Sequence, residues 1–246
     1  MSASILKQLI SLLPILGAAC LLGGCFGGAI QRVGSVTELK KGDPTYEGLV
    51  VLPPLLADRL KDAHIQNCSL YLGALTKDPE KFYLFRHFEY TGSNLASDMA
   101  AVADIMAPPG GGDWQHWEQV FFTPGNDIAR EKVERKGAII GLRPEREKII
   151  AYTQLHAATW PGVLDAIRRG NIRNFTIYHG EIEPGRHMLF SHFEYVGDDF
   201  AADMATIGAD EVTRVWWTYT DPLQIRLPTA KDGEQWSGIP EVQYVP

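Results

Sequence analysis

The chain contains the same pattern twice, and this constrains its fold more than any other feature. Lys81-Phe-Tyr-Leu-Phe-Arg-His-Phe-Glu-Tyr90 matches Arg186-His-Met-Leu-Phe-Ser-His-Phe-Glu-Tyr195, and both blocks run on through a glycine to an Asp-Met pair, Asp98-Met99 and Asp203-Met204. Upstream, His64-Ile-Gln-Asn-Cys-Ser-Leu-Tyr71 matches Asn171-Ile-Arg-Asn-Phe-Thr-Ile-Tyr178, and Arg32-Val-Gly-Ser-Val-Thr-Glu-Leu39 matches Arg135-Lys-Gly-Ala-Ile-Ile-Gly-Leu142. Three blocks in one order, at offsets of 105, 107 and 103, indicate a duplicated unit.

Within each copy the periodicity predicts strand, helix, strand, strand, helix, strand. In the second copy residues 135–142 read as a strand, and Pro144 opens a helix carrying Ile149, Tyr152, Leu155, His156 and Thr159 as one stripe. Trp160-Pro161 interrupts that helix, because proline lacks a backbone donor, and a short second helix is expected from Pro161 to Arg169. Residues 172–180 and 186–195 read as strands joined by a Glu-Pro-Gly turn at 183–185. A helix over about 198–219, broken near Gly208, and a final strand at Glu241–Val245 complete the unit. The predicted class is α+β: two ferredoxin-like βαββαβ units packed sheet against sheet as an intramolecular pseudo-dimer. The copies are assigned to residues 30–123 and 132–246, with residues 124–131 as linker. Residues 226–240, rich in Pro, Gly and charge, are read as a tail crossing to the first copy.

The first 24 residues stand apart. Lys7 precedes an apolar run from Leu9 to Leu22, the anatomy of a secretory signal, too short to span a bilayer comfortably. The run ends in Leu22-Gly23-Gly24-Cys25, which resembles the bacterial lipobox; a plain N-terminal anchor or an uncleaved signal is the alternative. The lipobox reading predicts removal of residues 1–24, lipidation of Cys25 and an extracytoplasmic protein held at a membrane. Of three cysteines only Cys68 then remains in the folded body, so core burial rather than disulfides must hold it together. A formal charge of −7 with no basic block argues against a nucleic-acid partner.

Chemistry concentrates in the second copy: Tyr152-Thr-Gln-Leu-His156-Ala-Ala-Thr-Trp160-Pro161, Asn171-Ile-Arg-Asn-Phe-Thr-Ile-Tyr178, Arg214-Val-Trp216-Trp217 and Glu241-Val-Gln-Tyr244-Val-Pro246. In order, spacing and wording these blocks resemble the L-rhamnose mutarotase family over about residues 132–246. The resemblance implies a dimeric α/β barrel, no metal, no cofactor, and interconversion of the anomers of L-rhamnose or a related deoxy sugar. It assigns the acid/base role to His156 and substrate contacts to Tyr152, Phe175, Trp216 and Trp217. Phe175 departs from the tyrosine the family usually has there.

The residues are compatible with that assignment. Mutarotation needs a proton taken from the anomeric hydroxyl and another given to the ring oxygen, and histidine does both near neutral pH. Tyr152 and His156 stand four apart and share one helical face. Of the adjacent Trp216 and Trp217, one is expected to stack on the sugar and the other to pack in the core. His87 and His192 recur at matched positions, a pattern that pocket lining and strand packing explain equally well. His64, His179 and His187 read as isolated and solvated, and no pair of ligand-type residues has a convincing metal spacing.

The first copy diverges. Aligning Asp58 with Asp165 puts Leu49 where His156 stands and Cys68 where Phe175 stands, and leaves Trp117 as the counterpart of the tandem tryptophans. This copy is read as a degenerate partner that completes the barrel and closes one side of the second copy's pocket. Two further readings stay open: a lipid-anchored sugar-binding protein without turnover, and, on the same fold, a cofactor-free monooxygenase or haem-degrading enzyme.

Overall fold

The computed structural model describes residues 30–40, 54–108, 111–126 and 132–246. The signal segment with Cys25, the aligned Leu49 and residues 127–131 of the expected linker lie outside the described residues. The first half contributes β1 (Gln31–Lys40), α1 (Pro54–Asp62), β2 (Ile65–Gly73), β3 (Lys81–Tyr90), α2 (Leu95–Ala101), α3 (Ala103–Met106) and β4 (Gln115–Gly125). The second contributes β5 (Glu134–Leu142), α4 (Arg146–Ala157), α5 (Pro161–Arg169), β6 (Ile172–Glu183), β7 (Arg186–Tyr195), α6 (Phe200–Ala209) and α7 (Glu211–Thr220). A 3-10 turn at Asp221–Leu223 leads to β8 (Gln224–Ile225), β9 (Ser237–Ile239) and β10 (Glu241–Val245).

The ten strands of the described residues form one antiparallel sheet in the order β10-β2-β3-β1-β4-β6-β7-β5-β8, with β9 also on β5. The sheet curls on itself. β9 borders β5 at Gly137↔Ile239, and after Pro240 the same segment continues as β10 and borders β2 at Glu241↔Tyr71. The tail therefore reaches the first half as expected, but it does so as strands. β4 also extends two residues past the expected boundary, taking Pro124 and Gly125 out of the linker.

The curl encloses one core, including Tyr71, Phe85, Tyr178 and Phe190, and each half packs its helices on the outer face over a second. Strand alternation makes this sorting: residues 85, 87 and 89 point inward with 190, 192 and 194, while 84, 86 and 88 face the first half's helices.

The repeated motifs now acquire physical causes. Tyr90 donates to Asp98 Oδ2 and Tyr195 to Asp203 Oδ2, each at 2.6 Å, so the matched Tyr…Asp spacing ties a strand end to the next helix. In the other block, Asn67 and Asn174 lie at bulges in the left-handed backbone region, at φ 49° and 48°, a conformation asparagine tolerates. Their amides cross to the opposite half, Asn67 Nδ2 to Glu194 Oε1 at 3.0 Å and Asn174 Nδ2 to Glu89 Oε1 at 2.7 Å. Tyr71 pairs with His192 Nδ1 and Tyr178 with His87 Nδ1, both at 2.8 Å. Gly34 and Gly137 complete the exchange, since a methyl group on either would collide with the ring of Tyr178 or Tyr71 respectively. No helix among the described residues is long and apolar enough to cross a membrane.

Candidate active site

α4 and α5 are built to present one face. Trp160 holds extended backbone at the α5 N-cap and Pro161 occupies its first turn, where a missing N–H costs nothing. Val163, Ala166 and Ile167, at helical spacing, bury the inner side of α5. The break at Trp160-Pro161 frees the end of α4, so that His156 sits in its last turn.

His156 stacks on Tyr152, with ring centroids 4.1 Å apart and 26° between planes. Its other neighbours meet it edge-on: Trp216 from α7 at 5.6 Å and Phe121 from β4 of the first half at 5.6 Å. Phe175 of β6 packs against Phe121 at 5.3 Å, and Trp160 against Trp216 at 5.3 Å. The imidazole Nδ1 lies 3.0 Å from the carbonyl oxygen of Tyr152. A carbonyl only accepts, so Nδ1 carries the hydrogen and Nε2 keeps a free lone pair. Burial pushes this imidazole down to about 4, partly opposed by that backbone bond, so the ring is neutral at pH 7. The Tyr152 hydroxyl is fully buried, and burial raises it, so the phenol stays protonated. An uncharged, half-buried base with a free Nε2 among aromatic rings can exchange protons with a neutral, hydroxyl-bearing ligand, whereas the Tyr152 hydroxyl is closed off from solvent.

Of the residues expected at the site, Tyr152, Phe175 and Trp216 gather around His156. Trp217 does not. It points outward, 39% exposed, beside Gly208, and is neither a core residue nor part of the cluster, because adjacent helical positions diverge by about 100°. Phe121 and Trp160 were not foreseen as site residues. Trp160 was legible one residue before the helix-breaking proline, whereas Phe121 comes from the other half.

Other expectations shift as well. His87 and His192 lie inside the curl, fully buried, stacked at 3.7 Å and 7°, away from His156. His179 and His187 are not isolated: His179 Nε2 and His187 Nδ1 are 3.2 Å apart. Trp117 lies on β4 in the enclosed core against Gly180, so it is no counterpart of the helical tryptophans. A cleft of about 680 Å³ opens where β1 and β4 diverge, lined by Arg32, Leu95, Trp117 and Gln119 among others. Among the described residues, no group of three or more His, Cys, Asp or Glu is placed to hold a metal ion.

Residues 135–245 match the model of the L-rhamnose mutarotase family. No curated protein matches the chain significantly. Among solved structures, an anthrone oxidase-like protein is similar at a TM-score of 0.44 and 11% identity, covering 87% of this chain and 94% of that one. A mutant chlorite dismutase from Candidatus Nitrospira defluvii in complex with cyanide is similar at a TM-score of 0.38 and 12% identity, covering 86% and 90%.

Proposed function

We propose, starting from the match of residues 135–245 to the L-rhamnose mutarotase family, that this protein interconverts the anomers of L-rhamnose or a related deoxy sugar at His156. One observation carries the reading: a neutral imidazole whose Nδ1–H is committed to a carbonyl and whose Nε2 is free, enclosed by Tyr152, Phe121 and Trp216. Nε2 takes the proton of the anomeric hydroxyl as the bond from C1 to the ring oxygen breaks, and that oxygen takes a proton from solvent. After rotation about C1–C2 the ring closes on the other face of the carbonyl. The C5 hydroxyl gives its proton to solvent, and the imidazolium protonates the new anomeric oxygen. Trp216 supplies an aromatic wall for the apolar face of the pyranose.

In the same proposal the two halves are ferredoxin-like units packed as a pseudo-dimer. The matched strand orders β2-β3-β1-β4 and β6-β7-β5-β8 and the reciprocal Tyr–His and Asn–Glu contacts support this. The proposal includes a position outside the cytoplasm with lipidation at Cys25, a reading supported by the lipobox-like Leu22-Gly23-Gly24-Cys25.

Saturation-transfer NMR tests the activity: wild-type protein accelerates anomer exchange of L-rhamnose and His156→Ala does not. Equal exchange with both proteins rejects it. A sugar-binding role without turnover is favoured by Phe175, which lacks a hydroxyl; calorimetric sugar binding that survives His156→Ala, without exchange by the wild type, would establish that role instead.

A further inference from the structure

We propose that the helix-facing side of the first half holds a small oxyanion, a carboxylate or a phosphate, on the guanidinium of Arg86. Arg86 lies on β3 and is 1% exposed. Its Nε donates to Ser35 Oγ at 3.0 Å and its Nη1 to the Met106 carbonyl at 3.1 Å, and the guanidinium lies 4.0 Å over the Trp114 ring. Nη2 is buried with no hydrogen-bond partner. Among the described residues no carboxylate pairs with this cation.

Its surroundings do not neutralise it either. Cys68 is the buried ionisable group whose charge would favour the guanidinium, but burial pushes the Cys68 thiol up to about 11, so it carries no charge at neutral pH. His116, two strands away in the row Arg86–Ser35–His116, responds to Arg86 as to a like charge and is held below its usual range, chiefly by burial. Arg32 pairs with Glu89 at 3.6 Å and Arg173 with Glu194 at 2.6 Å, while Arg135, only half-buried, lies over the Tyr244 ring with its Nε unpaired. A buried charge without a partner is retained only where something compensates its lost hydration.

The repeat sharpens the point. At the position of Arg86 the second half has Ser191, which satisfies itself on the Ala138 carbonyl at 3.3 Å and requires no ligand. An arginine with a free Nη2 is an oxyanion donor awaiting an acceptor. Arg86 does not itself line the 680 Å³ cleft, but His116 and Val33, which do, share this sheet face with it, so an anion would enter from that side. The site is separate from His156 and does not depend on any activity there.

The Trp114 indole N–H, which donates to the same Met106 carbonyl at 2.7 Å, is the reporter. The full chain is titrated with sodium acetate, sodium glucuronate and inorganic phosphate against sodium chloride at matched ionic strength, following that N–H by NMR together with the thermal midpoint. A saturable shift with carboxylates or with phosphate, absent with chloride, and a midpoint raised by several degrees at about a hundred times Kd are expected. Carboxylate-only and phosphate-only responses separate the two sources. Arg86→Met abolishes the shift, and Arg86→Lys, which keeps charge but not the planar fork, weakens it at least about tenfold. No saturable response of the wild type to any of the three anions overturns the proposal, as does an equal response from Arg86→Met; if that variant does not fold, the wild-type titration and Arg86→Lys decide.

Discussion

The two helix-facing layers of the molecule share a sheet geometry and differ in chemistry. In the second half, Phe175, Tyr152, Trp216 and the borrowed Phe121 surround an uncharged imidazole; in the first, Cys68 stands where Phe175 does and a guanidinium is buried where Ser191 lies. Inside the curl the histidines, tyrosines and glutamates of the two halves are kept, although Tyr83 is matched by Met188. The tyrosine–histidine pairs there cross between halves, Tyr71 with His192 and Tyr178 with His87, so changing one residue strands its partner in a dry core. Helix-facing residues answer mainly to their own half. Duplication therefore left one layer free to change while the other was held by mutual satisfaction.

The largest expected effect comes from removing Phe121, an aromatic from the first half that packs on His156 and Phe175 of the second. Phe121→Ala costs about 3–5 kcal/mol by denaturant titration, the range for deleting a buried phenylalanine, and moves the His156 imidazole up toward 6.5 by NMR as its burial is relieved. An unchanged His156 titration would mean that the first half does not help build the site.

Acid should strike the shared interior next. Burial first, then the stacked His192 and Arg32, holds His87 well below its usual range, and burial with Arg135 and Arg32 holds His192 down to about 3. Arg32, Arg135, Glu89, Glu194 and the two tyrosines surround the pair. Unfolded histidine takes up a proton near 6.5 while these do not, so stability present above pH 6.5 falls as pH drops below it. The slope is about 1.4 kcal/mol per pH unit for each histidine. Urea midpoints that coincide at pH 7.5 and 5.5 would show that the pair titrates freely.

Gly34→Ala and Gly137→Ala probe the reciprocity itself. Each thrusts a methyl into a tyrosine ring of the other half and should cost about 1–3 kcal/mol, by similar amounts. A neutral result at one position and a severe one at the other would break the equivalence. Trp217→Ala is the mildest change: within about 0.5 kcal/mol in stability, with rhamnose exchange intact. A tenfold loss of exchange would return Trp217 to the site.

Much of this arrangement was written in the sequence. The repeated blocks located the paired strands, and the helix break at Trp160-Pro161 and the clustering of Tyr152 with His156 followed from periodicity and spacing. What escaped depends on distant closure. Ser237–Ile239 is a strand because β5 offers an edge there, and no local pattern announces it within a Pro- and Gly-rich tail. Phe121 reaches His156 only once β4 has paired with β6 of the other half. The fate of Trp217 turned on which of two adjacent helical positions faced the sheet, and Arg86 looked like any strand residue until its burial and missing counter-ion were visible.

The proposed function rests on a half-buried, neutral imidazole acting as a base, and the pH dependence of kcat/KM for rhamnose exchange tests that most directly. With His156 held down at about 4, the catalysed rate should stay level from pH 8 to pH 5, once the solvent reaction is subtracted. A rate that halves near pH 6.5, the value of an ordinary exposed histidine, would contradict it.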